Sequence, residues 1–347
     1  MRVARTVAKE TIEYHDVPMP VAGPGEALVR IESLTLCGTD LHIWEDDYAT
    51  DLPIVQGHEF VGIVEQASGS QQAVAVGDRV AVSPMTYCGR CYACSIGRVN
   101  ACVRMSVYGC YEDGALAEYM AVPVTKLHRI PDGLDPRVAP LAEPASIAMQ
   151  AVDRGRPRAA EKAFVFGCGP IGLLSTMYLT SLGVEVVAAD TREHRCEFAG
   201  KFGAVDTMVI DPAVSFPDAA QHELLSHWTG AQGPSLVVEA TGAPDSLTNA
   251  LSVVATAGRV AAVGISDREV SLSMRTLPVK DIDLLGSRNS QDLIGESLAL
   301  LSEHTAEADM LITHRFPFDR LGEAFEVMRS RTEPVGKVAI DMPGAFT

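Results

Sequence analysis

A chain of 347 residues is long enough for two domains, each with a full core. Its 28 Lys plus Arg against 45 Asp plus Glu leave a net charge of −17, without the basic stripe that a nucleic acid partner needs. No apolar run approaches the roughly 20 residues that span a bilayer, and the opening MRVARTVAKETIEYHD lacks a signal-peptide core, so no membrane and a cytoplasmic location are expected.

Residues 1 to 140 alternate short apolar runs with Gly, Pro and Asp: ALVRIESLTLC ending at Cys37, FVGIVEQA from Phe60, and AVGDRVAVS ending at Ser83. This pattern predicts a β-rich, loop-rich lobe. The first strand runs into CGTDLH, which supplies Cys37, Thr39, Asp40 and His42, and the second follows GHE, which supplies His58 and Glu59. LAEP adds Glu143. A thiolate, an imidazole and a carboxylate bind zinc as a neutral complex and leave a fourth position for water or an alcohol, the mark of a catalytic rather than a structural ion. Asp40 lies close enough in chain to accept the other N–H of a ligating histidine, or to cap a helix after Thr39.

Four of the eight cysteines cluster in CGRCYACSIGRVNAC: Cys88, Cys91, Cys94 and Cys102. One loop can fold four sulfurs at this spacing around a tetrahedral zinc, giving a closed, structural site. An iron–sulfur cluster fits less well, because the last gap is seven residues and Val103 rather than proline follows.

From Glu143 the pattern changes to apolar strands alternating with helical stretches: KAFVFG, VEVVAAD, TMVI, LVVEAT, RVAAVG and DIDLLG. Six such runs predict a doubly wound parallel sheet. Between the first strand and the first helix lies GCGPIG, that is Gly167, Gly169, Pro170, Ile171 and Gly172, where glycines let a pyrophosphate approach a helix N-terminus. Asp190 ends the second strand, where a carboxylate accepts the adenosine ribose hydroxyls, which favours NAD. Arg192 and Arg195 follow and would hold the 2′-phosphate of NADP if that carboxylate turned away. After Leu285 the helix-like SQDLIGESLALLSEH and the strand GKVAID have no place in this sheet, so the chain is expected to return to the first lobe.

Together these motifs, in this order and spacing, resemble the zinc-containing medium-chain dehydrogenases, in the sorbitol, threonine and idonate dehydrogenase-like polyol branch, over essentially the whole chain. The resemblance implies an α/β protein with a GroES-like catalytic domain at 1–146 and 287–347 and an inserted Rossmann cofactor domain at 147–286. It implies Cys37, His58 and Glu59 as catalytic zinc ligands, with Glu143 either exchanging with Glu59 or bonded to the zinc water. Thr39 and His42 then form the proton relay. Thr241 in EATGAP, Val263 and Gly264 in AVGI, and Arg288 in GSRNS correspond to the nicotinamide surroundings. Two zinc ions per chain, NAD in preference to NADP, and a homodimer or homotetramer are implied as well. The implied reaction is oxidation of a secondary alcohol to a ketone; an L-threonine-type or primary-alcohol dehydrogenase is the alternative within the fold, and a nucleotide-binding scaffold without chemistry the alternative outside enzymes. Ile43 stands where sorbitol dehydrogenases often carry an aromatic, and Glu45, Asp46 and Asp47 would repel a sugar acid if they faced inward. A neutral polyol, an inositol-like ring or a hydroxy-amine is the easier substrate.

Overall fold

Residues 1–67, 74–330 and 334–346 are described by a computed structural model. They divide into two units, Met1–Ser146 with Gln291–Thr347, and Ile147–Ser290.

In the second unit the six apolar runs become parallel strands: Lys162–Phe166, Glu185–Asp190, Asp206–Val209, Leu236–Glu239, Arg259–Ala262 and Asp283–Gly286. Their spatial order is third, second, first, fourth, fifth, sixth, so the winding reverses beside Lys162–Phe166 and opens a crevice at the carboxyl ends of the strands there. Val186, Val187, Val237 and Val238 are fully buried, as expected of strands covered on both faces. Phe164 and Phe166 project from the same face of the first strand, with ring centroids 4.7 Å apart, and Phe216 closes the cluster. The sixth strand departs from the buried pattern its sequence suggests. It lies at the sheet edge beside Arg259–Ala262, and Leu284 on it is exposed.

The first unit is built around the long strand Glu26–Leu36, which pairs antiparallel with Glu59–Ala67, Tyr119–Pro123 and Lys337–Asp341. Val29, Ile31, Leu34, Phe60, Phe318 and Phe325 form its core. The segment after Gln291 therefore does return here: helix Ile294–Glu303 donates Ser297 Oγ to the Ala142 carbonyl at 2.7 Å, and GKVAID joins the catalytic sheet. Among the described residues no helix is long and apolar enough to cross a membrane.

Candidate active site

The strand Glu26–Leu36 ends by delivering Cys37, which holds an extended backbone, and helix Gly38–Trp44 starts at once. Asp40 in its first turn accepts the Cys37 N–H at 2.9 Å and the Gly57 N–H at 3.2 Å, so one fully buried carboxylate ties both ligand loops together. The capping role open to Asp40 from sequence is filled, and its Oδ2 also lies 3.6 Å from His58 Nδ1. Burial raises the Asp40 pKa above the usual carboxylate value, against the pull of His58. Gly57 has φ +96°, and a Cβ there would meet Leu34 Cδ1 at 2.8 Å, so the bend that aims His58 is open to glycine alone.

The result is that ligand atoms of Cys37, His58 and Glu59 all lie within 4.8 Å of one another. Sulfur, nitrogen and oxygen at such separations fit one zinc with bonds of about 2.0–2.3 Å. Glu143 stands outside that close set, half-buried at the start of helix Ala142–Arg154. Its carboxyl is pushed up to about 7, by burial first, with His58 opposing and Glu59 reinforcing the shift. Thr39 is half-buried, and His42, three residues on, is exposed with Nδ1 3.6 Å from Asp47 Oδ2.

Three neighbours of this set were not singled out from sequence. Lys337, 5% exposed, donates to Glu59 Oε1, while Thr35 Oγ1 donates to Glu59 Oε2. Both arrive through strand register, Thr35 facing Glu59 and Val338 facing Leu36. Burial works against the lysine's charge, but Glu59 and then Cys37 hold its pKa above the ordinary value. The third is Cys110, whose Sγ lies 3.6 Å from His58 Nδ1. Burial is the largest influence on His58 and opposes its charge; Cys110 and Asp40 outweigh it, leaving the imidazole pKa well above its usual value. The one sequence signal for Lys337 is a lysine opening an otherwise apolar strand.

Cys88, Cys91, Cys94 and Cys102 converge in a second set, also within 4.8 Å of one another. Sγ separations of 3.5 Å (Cys91 to Cys94), 3.9 Å (Cys91 to Cys102) and 3.5 Å (Cys102 to Cys88) match the edges of about 3.8 Å that zinc–sulfur bonds of about 2.3 Å impose on a tetrahedron. The loop is prepared for charge: Cys88 and Arg104 N–H groups donate to Cys102 Sγ, each at 3.3 Å. Donation from the Cys94 and Val103 N–H groups brings the Cys91 thiol down to about 6, whereas burial pushes Cys94 up to about 11.

In the second unit a cavity of about 780 Å³ opens at the carboxyl ends of the strands. Gly167, Gly169, Asp190, Arg195 and Thr241 line it; Pro170, Ile171, Gly172, Val263, Gly264 and Arg288 do not. Gly172 acts from behind, since a Cβ there would stand 1.7 Å from the Gly167 carbonyl oxygen. At Gly169 a Cβ would find only Arg195 Nη1, at 3.9 Å, which leaves space over the N-terminus of helix Pro170–Ser181 for a pyrophosphate. Asp190 accepts the Cys168 N–H at 2.9 Å and the Arg192 N–H at 3.0 Å, and Arg195 Nη1 is 3.8 Å away. Thr241 donates its N–H to Glu239 Oε1 at 2.8 Å, and Gly264 packs so closely on Gly242 that a Cβ would lie 2.0 Å from its nitrogen. Arg288 is exposed at the end of this unit.

Known proteins resemble this chain over most of its length. The family model of the alcohol dehydrogenase GroES-like domain matches residues 23–132, and that of the zinc-binding dehydrogenase matches residues 170–303. L-galactonate-5-dehydrogenase of Escherichia coli strain K12 is 34% identical over 311 residues, covering 89% of each chain. L-threonine 3-dehydrogenase of Pyrococcus furiosus is 33% identical over 337 residues, covering 94% of this chain and 95% of its own. An alcohol dehydrogenase of Escherichia coli CFT073, solved with NADH, superposes with a TM-score of 0.89 at 27% identity, covering 98% of this chain and 99% of the other. The chain belongs to the zinc-binding medium-chain alcohol dehydrogenases, in their polyol branch, and is an oxidoreductase that uses zinc and a nicotinamide dinucleotide.

Proposed function

We propose that the protein oxidises one secondary hydroxyl of a neutral polyol or sugar derivative to a ketone, with NAD as the hydride acceptor. The observation that carries this reading is the meeting of Cys37, His58 and Glu59 within 4.8 Å, a three-ligand set that leaves a position open for substrate. When bound, zinc there lowers the pKa of a coordinated hydroxyl, and the nicotinamide takes up the hydride. Thr39 Oγ1 would take the substrate proton while giving up its own, by way of the nicotinamide ribose, toward His42, three residues along the same helix and open to water, which releases it to solvent. Asp40 keeps His58 oriented, and Glu143, close enough to respond to His58 and Glu59, exchanges with Glu59 or holds the zinc water.

The Cys88–Cys102 loop carries the second, structural zinc. Asp190 favours NAD, because its buried charge accepts ribose hydroxyls and repels a 2′-phosphate; Arg195 offsets only part of that charge. Residues 1–146 and 287–347 form the catalytic domain and 147–286 the cofactor domain, with Val263, Gly264 and Arg288 toward the nicotinamide. The protein works in the cytoplasm as a homodimer or homotetramer, its sixth-strand edge serving as the contact. An L-threonine substrate is favoured by the relatives that carry that name, but Asp46 and Asp47 are exposed beside His42 and would repel its carboxylate.

The test is metal content together with NADH formation from galactitol, sorbitol, myo-inositol, 2-butanol, L-threonine and ethanol. Two zinc ions per chain and turnover of a secondary alcohol are expected. Cys37→Ser should lower turnover about a hundredfold or more while keeping the fold. One zinc ion per chain, with no turnover after reloading, would overturn the reading, and an unchanged Cys37→Ser variant would favour a scaffold without chemistry.

A further inference from the structure

Two loops of the first unit carry exposed phenols that meet. Tyr48 follows helix Gly38–Trp44, and Tyr111 follows Cys110. Their hydroxyls are 3.1 Å apart and their ring centroids 6.1 Å apart, and the residues are 37% and 43% exposed. The loops are tied where they approach: Thr50 Oγ1 donates to the Cys110 carbonyl, and the Cys110 and Tyr111 N–H groups both donate to the Val107 carbonyl at 3.1 Å. Tyr111 therefore stands one residue from a thiol that lies 3.6 Å from His58 Nδ1.

Neither phenol belongs to a described hydrophobic cluster, although Cys110 itself does. Neither ring is thus part of a hydrophobic core. A hydrogen-bonded pair of phenols keeps one free donor and several lone pairs, an uncharged surface able both to give and to accept. Vicinal hydroxyls need such a partner, with two oxygens side by side at hydrogen-bonding distance. The surrounding loop side chains are mainly acidic: Asp46, Asp47, Glu112 and Asp113 are all exposed, and Arg5, 3.7 Å from Asp113, offsets one of them. A neutral polyhydroxylated ligand suits this surface, and an anionic one does not. Burial and then the Tyr111 bond raise the Tyr48 pKa, so the phenol stays uncharged.

We infer that the Tyr48–Tyr111 hydroxyl pair is a recognition subsite for the hydroxyls flanking the carbon that is oxidised, and so determines selectivity for neutral polyols over simple alcohols. The inference rests on the function proposed above and names the substrate class of that same site. Its test uses the zinc-loaded enzyme with Tyr48→Phe, Tyr111→Phe and the double variant, which keep both rings. KM and kcat are measured for galactitol, sorbitol and myo-inositol, and for 2-butanol as an alcohol with nothing to recognise.

Each substitution should raise KM for the best of the three polyols by about three- to tenfold, with kcat/KM for 2-butanol and zinc content unchanged. Equal KM values in wild type and double variant would overturn the inference while leaving the dehydrogenase reading intact, as would oxidation of 2-butanol but of none of the polyols. A parallel loss on 2-butanol would make the pair structural, again against the inference. No turnover of any alcohol would sink the proposed function itself.

Discussion

Lys337 places a full positive charge beside Glu59 in a site where both side chains are almost completely buried. A buried ion pair is a weak source of stability as a pair, but removing one partner strands the other in low dielectric, at about 3–5 kcal/mol. Lys337→Met should therefore lower the unfolding free energy by about 3–5 kcal/mol in urea titration of the zinc-free protein. Glu59→Gln combined with Lys337→Met should lose less, since a neutral amide keeps the Thr35 hydrogen bond and no charge is stranded. Charge at the four-cysteine loop is distributed unevenly, and this too can be read out. In zinc-stripped protein Cys91, with its thiol near 6, should be alkylated first, and its rate should climb between about pH 5 and pH 7 as the thiolate forms. Cys94, raised to about 11, stays protonated over that range and should lag; peptide mapping after a short iodoacetamide pulse checks the order.

At the scale of elements, the glycine turn shows how a motif is enforced by packing as well as by the ligand. Helix Pro170–Ser181 lies against the first strand of its sheet only because position 172 has no Cβ, which would meet the Gly167 carbonyl oxygen at 1.7 Å. Gly172→Ala must push helix and strand apart, costing about 1–3 kcal/mol by the usual toll of overpacking, and should weaken NAD binding in calorimetry. The strands and helices of this unit were legible because their signals are local: apolar runs such as VEVVAAD, punctuated by Gly and Asp, fold where they lie in sequence. The CGTDLH and GHE motifs were legible for the same reason. Lys337, Thr35 and the two phenols were not, because what they do depends on register across three strands and on two loops meeting. Neither is encoded within a window of ten residues. Leu284 and Leu285 look apolar in any local window and suggest a covered strand, and only the sheet order reveals the sixth strand as an edge.

For the whole molecule, that edge is the feature with the widest reach. Ile265, Met274 and Val279 are exposed at 83%, 90% and 60% in the segment leading to Asp283–Gly286, and an uncovered edge strand offers its backbone for pairing with another chain. Leu284→Lys should convert the proposed oligomer to monomers in sedimentation velocity while leaving NAD binding unaffected; an unchanged sedimentation coefficient would place the contact elsewhere. The catalytic unit, in turn, is closed by a strand distant in sequence. Cys88 and Cys102 are 14 residues apart, so a nascent chain can fold its cysteine loop and capture one ion while still on the ribosome. Glu59 has to wait for a counter-cation 278 residues downstream. The buried Glu59–Lys337 pair therefore closes last, once Lys337 has been synthesised and its strand has docked on Glu26–Leu36.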